Sequence, residues 1–384
     1  MITCVQRIFL IGTVLLSFNL GAVDVYVSPH GDDFASGAKA HPFATLARAR
    51  DAVRAIKQNK AVTVHIRGGM YQLDEPILFG KEDSGSKTAP VIYQAEKGAE
   101  PIFSGARRIT QWHAVERPEK LALLAPEVRG LIYVADLYAG GIADLGDPTD
   151  KGKRPELFCN GQVQTLARWP NSDFVKAGLA KGPTQLAETY LKRHGTVEGI
   201  FEYTDRRQNR WANESDIRLS GYWYWDWLDA PLRVEKIDTV AHIIATKPPY
   251  HHYGYKDSLR YFGLNLFCEL DQPGEWYLDR ADGKLYWYPP AGIQPNQAQV
   301  TLSVFNAPFM IEMRDCAHVT IKGVTFRQGR GSALLIRDGA QCQIVDCRIE
   351  GFGQDGIHVQ NGVGHGITGC QLRTFGHGGI KIKG

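Results

Sequence analysis

Three consecutive stretches decide the fold: His318–Ala340 (HVTIKGVTFRQGRGSALLIRDGA), Gln341–Val363 (QCQIVDCRIEGFGQDGIHVQNGV) and Gly364–Gly384 (GHGITGCQLRTFGHGGIKIKG). They align without gaps at an offset of 23, and their apolar positions superpose. Ile321, Ile344 and Ile367 match, as do Val324, Cys347 and Cys370; Phe326, Ile349 and Leu372; Leu334, Ile357 and Ile380; and Ile336, Val359 and Ile382. Within each unit these residues form short alternating segments, the period of strands, separated by turns such as Asp338-Gly339 and Asn361-Gly362. A repeat this short, with strands and no helical pattern, predicts one coil of a parallel β-helix per unit. The leucine-rich repeat, its competitor at this length, lacks its Leu/Asn signature here.

Stacking fixes neighbours, because equivalent residues on successive coils lie about 4.8 Å apart. Glu350 then falls between Arg327 and Arg373 in an outward ion ladder, and Asp315, Asp338 and Asn361 form a column of turn residues. Cys347 and Cys370 share an inward column and read as buried thiols.

Working outward, Pro42–Ile56 places Leu46, Ala49, Val53 and Ile56 on one helical face, a helical cap over the open end of the solenoid. Strand-like runs follow at Val62–Ile66, Ile77–Phe79, Val91–Ala95 and Ile102-Phe103. From about 111 to 297 the short repeat gives way to aromatic-rich strands with hairpin signals at Asn160-Gly161 and Asp282-Gly283, an inserted β-rich domain. The expected division is therefore 1–22, a signal peptide; 23–110, cap and first coils; 111–297, insertion; and 298–384, coils of the repeat, cut off in mid-solenoid. In the insertion, Gly221-Tyr222-Trp223-Tyr224-Trp225-Asp226-Trp227 read as a strand puts Trp223, Trp225 and Trp227 on one face, a surface able to stack on sugar rings. Asp226 and Asp229 stand beside it as hydroxyl-binding groups.

Arg7, an apolar run from Ile8 to Leu16 and the small pair Gly21-Ala22 have the layout of a cleaved secretory signal, with an apolar core shorter than the ~20 residues of a membrane span. The expected location is secreted or periplasmic, with no span after cleavage. Six cysteines follow the signal without the paired spacing of a zinc site, so no metal and no cofactor is expected. Charge is nearly balanced, 44 Lys and Arg against 41 Asp and Glu, which gives no electrostatic ground for a nucleic-acid partner. The 43% hydrophobic content excludes a disordered chain, and 41 Gly beside 16 Tyr, 16 Phe and 8 Trp favours turns and strands over helical bundles.

The opening Tyr26-Val27-Ser28-Pro29, then Pro42–Leu46 and Ala49–Arg54, resemble the N-terminus of bacterial right-handed parallel β-helix proteins related to glycoside hydrolase family 141. Leu157–Gly161 with Ala167–Asn171, the Trp223–Trp227 stretch and Leu270–Asp279 are similar to that family's inserted region. The resemblance implies an all-β, pectin-lyase-like solenoid. It also implies α-L-fucosidase or xylanase-type chemistry, with the main catalytic carboxylates on coils beyond Gly384.

Glycoside hydrolysis needs an acid and a second carboxylate, about 5–5.5 Å apart for retention and 6.5–9.5 Å for inversion, roughly one and two coil steps. No visible column carries two unpaired strand carboxylates. The best single catalytic candidate is Asp355 in Gly353-Gln354-Asp355-Gly356-Ile357-His358, with His358 and His377 near it as substrate-binding groups. Gly376-His377-Gly378 is similar to the Gly-His-Gly of polygalacturonase-like sites, but the paired aspartates of such a site are incomplete, because Gly356 stands where the second would be. The leading expectation is an exported glycoside hydrolase acting on a plant or algal polysaccharide. The alternatives are a polysaccharide lyase, which would call for Ca²⁺ and a base, and a non-catalytic glycan-binding protein.

Overall fold

The computed structural model describes residues 22–57, 59–150, 152–186 and 194–384. The expected signal, apart from Ala22, lies outside the described residues. Among them no helix is long and apolar enough to cross a membrane.

Three parallel sheets form the solenoid. The first joins Val23–Val27, Val62–Ile66, Val91–Ala95, Val319–Lys322, Gln343–Val345 and Gly366–Thr368 in that order. The second joins Gly69–Gln72, Pro101–Ser104, Thr325–Gly329, Arg348–Phe352 and Gln371–Phe375. The third joins Ile77–Phe79, Phe309–Arg314, Ser332–Arg337, Ile357–Gln360 and Ile380–Lys383. Registers follow the 23-residue offset: Ile321 pairs with Ile344 and Ile344 with Ile367, Phe326 with Ile349, and Leu334 with Ile357. The inward members of these columns share one core with Val64, Tyr93 and Phe103. Each fully buried Ile, Leu or Val there contributes about 1.5–3 kcal/mol of burial.

The turn columns have the geometry their residue types allow. Asp315, Asp338 and Asn361 have φ of 55°, 55° and 56°, and Asn361 Nδ2 donates to Asp338 Oδ1 at 2.9 Å. Asp and Asn tolerate this left-handed conformation because their short polar side chains bond locally.

The helix Leu46–Ile56 buries Leu46, Ala49 and Val53 in the solenoid core, while Ile56, expected on the same face, is partly exposed. Thr45 caps it by accepting from Arg48 N–H, and Asp33 in turn accepts from the N–H groups of Ala44 and Thr45.

After Ser104 the chain leaves the parallel sheets and rejoins them at Phe309, so the excursion falls between the second and third strands of one coil. Ala106–Arg108 and Val300–Ser303 pair antiparallel and zip its two ends together. The expected limits of 111 and 297 fall inside this region. Asn160-Gly161, with φ of 48° and 80°, joins Leu157–Cys159 to Gln162-Val163, and Asp282-Gly283 lies between Glu275–Asp279 and Lys284–Trp287. A seven-stranded antiparallel sheet around Phe201, Trp211, Trp223 and Tyr261 makes up the outer part.

The excursion is fastened to the solenoid by Arg330, which is fully buried. Its Nε donates to the Ser303 carbonyl at 2.9 Å, its Nη2 to the Asp144 carbonyl at 2.7 Å, and its Nη1 lies 3.0 Å from Asp144 Oδ2. All cysteines among the described residues are free, and Cys347 is buried as expected.

Candidate functional site

Asp355 lies in the turn that leads from the second-sheet strand Arg348–Phe352 to the third-sheet strand Ile357–Gln360. Successive coils approach so closely here that glycine is required. A Cβ on Gly353 would stand 2.4 Å from the Arg330 carbonyl oxygen, and one on Gly376 2.2 Å from that of Gly353. The Asp355 N–H donates to Ser332 Oγ on the preceding coil at 3.2 Å. On the following coil Gly378 leaves room for the carboxylate, since a Cβ there would be 3.0 Å from Asp355 Oδ1.

Both oxygens of this carboxylate hold imidazoles. His358 Nε2 is 2.6 Å from Oδ2, and His377 Nδ1 is 2.7 Å from Oδ1. Asp355 is only 4% exposed. The His358 side chain is 13% exposed and its ring meets Phe309 edge-on at 5.0 Å, whereas that of His377 is 62% exposed. Burial pushes the Asp355 carboxyl up, but the hydrogen bonds from His377 and His358 and their charge outweigh it, leaving the group below the usual carboxylate range. An ionised acceptor fixes the tautomers: His377 carries its hydrogen on Nδ1 and leaves Nε2 toward solvent.

This geometry alters the role expected of Asp355. A carboxylate with both oxygens engaged and a depressed pKa holds no proton to deliver and is shielded as a nucleophile. Through its two oxygens it can orient both imidazoles instead. Proximity of Asp355, His358 and His377 was legible in the sequence, but the engagement of both carboxylate oxygens was not.

The tryptophan stretch departs from its expected form. Its strand, Arg218–Tyr222, ends before Trp223, and residues 223–229 form a turn, so alternation does not apply. Trp223 has no exposed surface: its ring packs against Phe201, Tyr255 and Tyr261, and its Nε1 donates to the Ala230 carbonyl at 2.7 Å. It is core and cannot stack on a sugar. Trp225 is half-buried edge-on to Tyr224, and Trp227 is 66% exposed, edge-on to Tyr253. Asp226 is exposed and lies 3.1 Å from Arg260 Nη2, so its carboxylate is already partnered.

Two features escaped the sequence reading. Glu275 is buried, accepting from the N–H groups of Asp271 and Gln272 at 3.0 Å each, and burial pushes its carboxyl up to about 7. The other is a groove between the hairpin Leu157–Val163 and the second sheet, lined among others by Gln162, Gln328, Glu350 and Arg373. Glu350 pairs with Arg373, Oε2 to Nε at 2.7 Å, but among the described residues no ion pair joins it to Arg327, whose buried Nε has no hydrogen-bond partner, so the expected ladder is half formed. No sequence signal marks the groove, because it exists only where the hairpin docks. Among the described residues no group of three or more His, Cys, Asp or Glu side chains is arranged to hold a metal ion.

A family model described as a right-handed beta helix region matches residues 309–384. Among solved structures the chain is similar to one described as a glycoside hydrolase, with 18% identity and a TM-score of 0.72 over 94% of this chain and 67% of that one. It is also similar to the XylC structure in complex with xylose, with 13% identity and a TM-score of 0.44 over 92% of this chain and 54% of the other. Among curated proteins none matches. At these identities the likeness carries the fold, a right-handed parallel β-helix.

Proposed function

We propose that the protein is an exported carbohydrate-active enzyme that hydrolyses glycosidic bonds of a complex polysaccharide, with the turn carrying Asp355, His358 and His377 at its reaction centre. One observation carries the reading: a buried, ionised carboxylate held by two imidazoles, one of which keeps a solvent-facing nitrogen. The secretory layout of the first residues and the glycoside hydrolase that shares the fold support it.

In this mechanism His377 is the proton-transfer residue. His377 Nε2 gives a proton to the leaving glycosidic oxygen as its bond to the anomeric carbon breaks, water adds its oxygen to that carbon, and the ring takes up the proton that the water releases. Asp355 sets the tautomer and offsets the charge that develops on the ring, while His358 holds the carboxylate from its other side. Trp225 and Trp227 supply an aromatic contact for the glycan at the edge of the insertion.

The same dyad favours one second reading. A neutral His377 beside an ionised Asp355 is also a base able to remove a proton next to a uronate carboxyl, the first step of a polysaccharide lyase. Incubation of the full-length protein with a panel of plant and algal polysaccharides separates the two. Reducing ends without an ultraviolet-absorbing product support the hydrolase; an unsaturated, absorbing product supports the lyase. Glycan binding with neither product would leave a non-catalytic glycan-binding protein.

A further inference from the structure

The groove beneath the hairpin Leu157–Val163 is built by the backbone as well as by side chains. One residue per coil adopts the left-handed conformation here: Gln328 at φ 63°, Gly351 at φ 74° and Thr374 at φ 62°. The second-sheet strands therefore bend in register, giving a concave floor. At Gly351 the space a Cβ would take lies 3.1 Å from the Phe158 ring, so glycine lets the hairpin sit directly on the coil. Thr374 is β-branched and exposed, and a positive φ there holds about 1–3 kcal/mol of strain at the rim.

The polar groups of the groove have unused capacity. Gln328 is buried yet makes a single side-chain hydrogen bond among the described residues, with Ser104 Oγ at 3.4 Å, out of the four a carboxamide can form. Glu350 accepts from Arg373 through Oε2 and leaves Oε1 without a hydrogen bond among the described residues. Gln162 stands exposed at the hairpin tip, with Val163 beside it. Arg373 is already neutralised by Glu350, and an anion entering beside it would face that carboxylate. Spare amides, the paired Glu350 and Arg373 and the apolar walls of Phe158 and Val163 suit a hydroxyl-rich ligand, which we take as neutral because an anion would meet Glu350.

The groove ends three residues short of His377 in the sequence. Thr374 at its rim is followed by Phe375, Gly376 and His377, at most ~11 Å of extended chain. We propose that this groove is a binding subsite for a neutral oligosaccharide, whose chain runs from the hairpin across the turn to His377. The binding claim stands by itself; only the direction of the chain rests on His377 being the reaction centre.

The test titrates the full chain by calorimetry with xylotetraose, cellotetraose and mannotetraose, and with tetragalacturonate as the acidic control. At least one neutral tetrasaccharide binds, and Gln162→Ala and Gln328→Ala each weaken it about tenfold, the loss of one good hydrogen bond. Gln162 is exposed, so its variant decides the matter if Gln328→Ala does not fold. Failure of all three neutral tetrasaccharides to bind, tighter binding of tetragalacturonate, or unchanged affinity in the folded variants would overturn the subsite. Binding that survives in a chain cleaving none of its ligands would remove His377 as reaction centre and leave the subsite standing.

Discussion

His377 Nδ1 stands 2.7 Å from Asp355 Oδ1, across two successive coils, so the solenoid's own stacking brings the exposed ring onto the buried acid. The first prediction follows from this contact. His377→Ala lowers the rate of reducing-end release by about 10²–10⁴-fold without unfolding the chain. Asp355→Asn, which keeps the shape and removes the charge, lowers it comparably. A rate unchanged in Asp355→Asn would show that the carboxylate does not act through the ring.

Asp355 also links folding to pH, with a sign set by its depressed pKa. The folded form holds the carboxylate ionised to lower pH than the unfolded chain does. Its contribution to stability is thus complete above the ordinary carboxylate range and is lost as pH falls through the depressed folded value. Urea midpoints of wild type and Asp355→Asn should converge in acid and separate toward neutral pH.

Glu275 gives the opposite slope. Its carboxyl is raised from an ordinary 4.5 to about 7, so the folded chain keeps a proton that the unfolded chain releases. Stability from this group therefore declines as pH rises from about 4.5 through 7, by on the order of 2–3 kcal/mol. Glu275→Gln, neutral throughout, flattens that part of the stability profile; a slope identical to wild type would disprove the linkage.

The tryptophans should separate by burial. Trp223→Ala empties a fully enclosed site and costs about 3–5 kcal/mol in denaturant unfolding. Trp227→Ala and Trp225→Ala leave unfolding within about 1 kcal/mol and weaken glycan binding instead. Unchanged binding in both would exclude the platform.

Arg330 joins excursion to solenoid through charge and two carbonyls. Arg330→Ala leaves those acceptors and Asp144 without their partner and costs about 3–5 kcal/mol. Asp144→Ala, on a half-exposed side chain, keeps its own backbone carbonyl bonded to Arg330 and costs less. Equal losses in the two variants would place the energy elsewhere.

The columns of the solenoid were legible because a strict spacing converts sequence position into height along an axis. The alignment of Ile321 with Ile344, the pairing of Glu350 with Arg373 and the turn at Asn361 all follow from that spacing. Trp223–Trp227 misled because alternation implies a strand only where the backbone continues as one. Here the chain turns after Tyr222, and the enclosed Trp223 anchors the turn through the Ala230 carbonyl. The proton logic of Asp355 needed two distances, and the groove needed a hairpin whose seat is a glycine on a distant coil.

The place of the excursion within one coil bears on how the chain reaches its native state. Phe309–Arg314 must find Ile77–Phe79, and Val319–Lys322 and Thr325–Gly329 must find Val91–Ala95 and Pro101–Ser104, across the entire intervening segment, whereas the strands from Ser332 onward pair with neighbours 23 residues away. Closure of these pairings therefore carries the largest entropic cost in the solenoid. The antiparallel zip of Ala106–Arg108 with Val300–Ser303 shortens the search by tethering the two ends before the coil forms. Once these pairings are made, each following coil adds against a neighbour already in place.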